Sequence, residues 1–130
     1  MSDQASHMNA IGWFDIFVED LDRATAFYET VLGRNLEPLG DPTGETRMMS
    51  FPADMGQYGA GGALSKSPHG RPGVGGTIVY FNAQDCAVEE GRVVAAGGQV
   101  VRPKFSIGEH GFVSLAMDTE GNMFGIASMT

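Results

Sequence analysis

The chain has 130 residues, 19 of them glycine, with one cysteine, a formal net charge of -8 and a pI near 4.6. That length suits one domain with a core that needs neither disulfides nor structural metal, and the lone Cys86 excludes an intrachain disulfide framework and fits a reducing cytoplasm. The eight Lys and Arg are too scattered for a nucleic-acid partner, and no stretch approaches the roughly 18 apolar residues of a membrane span, so a cytoplasmic protein bound to neither is expected.

Residues 1–8 are polar and include Ser6-His7-Met8, so they read as a disordered N-terminus or an expression scar; His7 is set aside and the domain is taken as 9–130. Next, Phe14, Ile16 and Val18 alternate with Trp13, Asp15 and Phe17, the period-2 pattern of a strand with two unlike faces. Asp20 then caps a helix whose apolar positions, Leu21, Ala24, Phe27, Tyr28, Val31 and Leu32, recur every 3.6 residues until Gly33 ends it. Tyr28 falls in that stripe and is expected in the core. Three shorter strands are predicted over about 35–40, 46–52 and 60–66, followed by a glycine- and proline-rich linker.

The plan then repeats. Ile78, Tyr80 and Asn82 alternate with Val79, Phe81 and Ala83; Asp85 is the next cap; Ala87, Val88, Gly91, Val94 and Ala95 form the predicted stripe of a second helix, which ends at Gly97-Gly98. Strands are predicted at 98–105, 111–118 and 122–129, with Asp118 to Asn122 as a tight hairpin and Glu120 at its exposed tip. Asp20 and Asp85 are 65 positions apart, as are Gly33 and Gly98, so the chain reads as two βαβββ modules, about 9–66 and 75–129. One helix per module covers only one sheet face. The predicted fold is α+β, a mixed sheet cupped on its other face.

The paired modules, the "DLDRATAFYETVLG" helix and the "DTEGNMFGI" ending resemble the glyoxalase/bleomycin-resistance/dioxygenase superfamily, the vicinal oxygen chelate fold, over essentially residues 9–129. Within it, "GWFDIFVEDLDRATAFYE" is similar to small single-domain proteins named after lactoylglutathione lyase. The resemblance implies a homodimer, and in the family's enzymes a divalent metal held by His, Glu or Gln from the first and last strands of each module. Carried over, those places fall on Trp13, Ile78, Gly125 and a position within Ala60-Gly61-Gly62-Ala63, none of which ligates a metal, so no metal or other cofactor is expected.

If the all-apolar set packs on the helices, then Trp13, Asp15, Phe17, Ile78, Tyr80 and Asn82 face the cup. Aromatic walls with a few polar groups suit a small-molecule site: Trp13 and Tyr80 to stack, Asp15 to supply charge to a polar or cationic ligand, Asn82 to orient it. His110, in the turn before the seventh strand, is placed to lean over the mouth. The alternatives are a plugged cup serving a partner interface, and a lyase or dioxygenase with unconventional metal ligands or with Asp15 or His110 as general base. Cys86 at a helix start and Gly-rich 59–62 and 70–76 lack the neighbours that would make a nucleophile or a phosphate loop.

Overall fold

The structure, a computed structural model, describes residues 9, 11–54, 56–75 and 77–130; the expectation for residues 1–8 lies outside these. The first module comprises β1 (Trp13–Phe17), α1 (Leu21–Leu32), β2 (Glu37–Leu39), β3 (Arg47–Ser50) and β4 (Gly61–Lys66). The second comprises β5 (Val79–Asn82), α2 (Cys86–Glu90), β6 (Gln99–Ser106), a 3-10 turn (Gly108–His110), β7 (Phe112–Met117) and β8 (Met123–Ser128). Each makes one four-stranded mixed sheet, ordered β1-β4-β3-β2 and β5-β8-β7-β6, and no ladder joins the two sheets among the described residues. In both, the strand before the helix pairs in parallel with the last strand of the module, and the remaining pairs are antiparallel.

The helix α1 follows from its sequence. The Asp20 side chain accepts from the Arg23 N–H at its start, the predicted stripe is buried, and Gly33 adopts φ 66°, the left-handed conformation that closes a helix most cheaply with glycine. Strand β6 tolerates Pro103 because it is a sheet edge whose register shifts between Arg102 and Phe105, so the missing N–H interrupts no ladder pair.

The second helix departs from expectation. It spans only five residues before glycine and two β-branched valines, poor helix formers, turn the chain through 91–97. The residues that reach the core are Cys86 and Val93, while Val88 and Val94 of the predicted stripe are exposed.

Both modules share one core. Tyr28 and Phe27 of α1 meet Phe51, Phe81 and Phe124 with ring centroids 5.3–5.9 Å apart, two of these pairs edge to face, the arrangement aromatic quadrupoles favour. The Asp118 to Asn122 hairpin is the clasp between the modules. The Tyr28 hydroxyl donates to Asp118 Oδ2 at 2.7 Å, and the Asn122 amide donates to the Phe17 carbonyl at 2.9 Å. Glu120 is not an exposed tip: its side chain is 0% accessible and accepts from the Glu19 and Asp20 N–H groups and from Arg23, 2.7 Å away. A carboxylate from the second module thus sits on the N-terminus of α1, where the helix dipole favours negative charge.

Candidate functional site

Glycines on the partner strands seat the aromatic rings. Trp13 registers opposite Gly61, Phe14 opposite Gly62 and Tyr80 opposite Gly125. A Cβ on Gly61 would stand 3.4 Å from the Trp13 indole, one on Gly62 2.5 Å from the Phe14 ring, and one on Gly125 would overlap the Tyr80 ring. An aromatic side chain covering a cross-strand glycine restores the contact that the glycine lacks. The outer rings remain available: Trp13 is 48% and Tyr80 50% exposed.

These two residues stand on the walls of a cleft of about 880 Å³ lying between β1 and β5, floored by Phe14, Phe51 and Phe81 and bordered by residues 52–54 and 57–60, among them the exposed Tyr58. Ile78 and Asn82 line it as well. Its described charged groups are Arg34, just past the end of α1, and Asp54 in the loop. Arg34 Nη2 donates to the Asn82 backbone carbonyl at 3.0 Å, which ties the guanidinium to β5.

Asp15 and Phe17 lie elsewhere. They line a separate recess of about 160 Å³ beneath the linker, together with Arg71 and Asn122. The Asp15 carboxylate is engaged: Oδ1 accepts from the Trp13 indole N–H and from the Ser65 hydroxyl, both at 3.1 Å, so it braces the indole. The linker is drawn onto Phe17, since a Cβ on Gly70 would stand 2.5 Å from its ring, and is pinned by the Gly73 N–H donating to Asn122 Oδ1 at 2.8 Å. His110 lies exposed in the 3-10 turn, 4.0 Å from the Glu109 carboxylate, and lines neither hollow. The sequence thus brings Trp13, Ile78, Tyr80 and Asn82 to one cleft and leaves Asp15, Phe17 and His110 outside it. Arg34, Tyr58 and Asp54 belong to no periodic pattern, and only proximity in the fold reveals them.

The places where the family resemblance puts a metal do not fit one. The residue that pairs with Asp15 as Gly125 pairs with Tyr80 is Ala63, so the four positions carry indole, isoleucine, glycine and alanine or a neighbouring glycine. None of these side chains offers a lone pair to a cation. At Gly125 the obstacle is also steric, because the Tyr80 ring occupies the space a ligating side chain would need. Among the described residues no group of three or more His, Cys, Asp or Glu is placed to hold a metal ion elsewhere.

Two mixed sheets of βαβββ connectivity around a common cleft define the architecture of the vicinal oxygen chelate fold. Residues 11–51 match the family described as bleomycin resistance protein-like N-terminal. The protein named "Putative glyoxylase CFP32" of Mycobacterium tuberculosis is 29% identical over 116 residues, covering 88% of this chain, which spans 43% of the length of that relative. Among solved structures, a glyoxalase/bleomycin resistance protein from Albidiferax ferrireducens superimposes with TM-score 0.69 at 17% identity, covering 92% of this chain and 98% of that one. The antibiotic binding protein TnmS3 of a Streptomyces superimposes with TM-score 0.66 at 21% identity over 95% and 98%, and glyoxalase I of Zea mays with TM-score 0.69 at 18% over 89% and 43%. The chain has the glyoxalase/bleomycin-resistance fold. No helix among the described residues is long and apolar enough to cross a membrane.

Proposed function

We propose that the chain binds a small planar aromatic or amphipathic molecule in the cleft between Trp13 and Tyr80, without a metal. The observation that carries this reading is the pair of half-exposed aromatic faces on the walls of an 880 Å³ hollow, with Trp13 itself and the Gly125 partner of Tyr80 at places where the family resemblance puts metal ligands. TnmS3, of the same fold, is named as antibiotic binding, and affinity alone is what such a role requires. The enzyme reading takes its support from the glyoxalase names among the relatives; Asp15, its candidate base, spends Oδ1 on Trp13 and Ser65. A homodimer belongs to the same proposal, because β1 and β5, on either side of the cleft, each have a single hydrogen-bonded neighbour among the described residues, the kind of sheet edge on which a second copy can pair. Light scattering against the 13.8 kDa chain mass reads that directly.

The test is a screen of planar aromatic compounds by calorimetry against the parent and Trp13→Ala. Losing the indole face should weaken a bound compound by roughly 2- to 13-fold, the equivalent of about 0.5–1.5 kcal/mol of stacking, with the fold retained. Unchanged affinity for every binder would sink the assignment of the cleft. Near-stoichiometric metal, measured by elemental mass spectrometry after exposure to Zn²⁺, Fe²⁺, Mn²⁺ and Ni²⁺, would return the enzyme reading to the lead.

A further inference from the structure

Among the described residues that line the cleft, Arg34 is the one cation. Arg34 has no carboxylate within 4.0 Å among the described residues, whereas Arg23 and Lys104 are matched to Glu120 and Asp85. Among the described residues a single bond, Nη2 to the Asn82 carbonyl, holds the guanidinium against β5, and its other N–H donors have no protein acceptor there. The Asn82 side chain, which also lines the cleft, carries an amide N–H₂ close to Gly59. The carboxylate that the sequence assigns to a ligand cation, Asp15, is turned instead into the neighbouring recess and bonded to Trp13 and Ser65. The remaining described carboxylate, Asp54, lies on the bordering loop and accepts the Gly56 N–H at 2.9 Å.

Resting on the binding reading above, we infer that the cleft selects planar aromatic anions, with the rings between Trp13 and Tyr80 and the carboxylate or equivalent oxyanion on Arg34. Guanidinium is suited to this because its fixed fork of donors matches two oxygens at once. The negative net charge of the chain opposes an anion only weakly at the cleft, since charges beyond about 10 Å are screened at 0.1 M salt while the Arg34 contact is direct.

A matched trio tests it: 2-naphthoate, 2-naphthalenemethanol and 2-naphthylmethylammonium, which share a ring system and differ in charge. Trp13 is the only tryptophan, so its single indole N–H resonance reports occupancy of this cleft in an NMR titration of the whole chain. The naphthoate should bind about tenfold tighter than the alcohol, a charge-assisted contact at a solvent-facing arginine. Its advantage should shrink as salt rises, disappear in Arg34→Gln and persist in Arg34→Lys, which keeps the charge without the fork. Equal or tighter binding of the ammonium compound, or a naphthoate preference that survives Arg34→Gln, overturns the inference while leaving the cleft a binding site. Failure of all three to move the indole resonance overturns the binding reading itself, and the inference with it.

Discussion

Gly125→Ala separates the two consequences of the glycine at that position. The added methyl would meet the Tyr80 ring, so Tyr80 must leave its seat on β8. The expected result is a loss of about 1–3 kcal/mol in urea unfolding, the usual cost of forcing a side chain off its rotamer, together with weaker ligand binding. In a Tyr80→Ala background the same substitution should cost much less, and the coupling in that double-mutant cycle measures the ring-glycine contact. Additive effects would show that the ring does not depend on Gly125. At this scale the sequence was legible where side chains alternate: Trp13, Ile78, Tyr80 and Asn82 share a cleft because the period of a strand put them on one face. Asp15 and Phe17 obey the same period, yet the linker crosses the sheet over Phe17 and divides the concavity. A period describes a face and carries no information about what later chain folds across it.

The two helices make the corresponding contrast between elements. The α1 segment announces itself through cap, stripe and glycine stop, and every residue of its predicted stripe is buried. The second segment has a cap of the same kind at Asp85, whose side chain accepts the Ala87 N–H and holds Lys104, but its apolar residues are small or β-branched and glycine interrupts them. Tertiary contact decides its phase: the Cys86 N–H donates to the Ser128 hydroxyl and the Glu90 carboxylate accepts the Lys104 N–H, which rotates Val93 inward and Val94 outward. Val93→Ala should therefore cost about 2 kcal/mol, two buried methyl groups plus the void they leave, whereas Val94→Ala, at a side chain 68% exposed, should stay within about 0.5 kcal/mol. Chemical denaturation of both variants checks the phase, and equal costs would restore the regular helical stripe.

For the whole molecule the decisive element is a hairpin whose local sequence reads as nothing more than a turn. Asp, Gly and Asn between Asp118 and Asn122 make a tight reversal in any protein; only long-range contacts turn Glu120 into the cap of a helix about 100 positions earlier. Burial pushes the Glu120 carboxyl up, but the Arg23 guanidinium, the Asp20 N–H and the Thr119 hydroxyl outweigh it and hold the group at about 2, below its ordinary 4.5. A carboxyl whose value is depressed by folding stabilises the folded state fully above its unfolded value and loses that contribution as pH falls through the folded one. The clasp should thus be intact at pH 7, begin to weaken below about 4.5 and be spent near 2. Glu120→Gln keeps the shape and removes the charge. It should lower stability at pH 7 by about 1–3 kcal/mol, the cost of leaving buried donors poorly matched. The gap between the parent and this variant should then narrow steadily between pH 4.5 and 2, read by urea unfolding at each pH. A gap that stays constant across that window would mean that Glu120 joins the modules by shape alone; one that closes as predicted would show that a single carboxylate couples the helix bordering the cleft at Arg34 to the module that carries Tyr80.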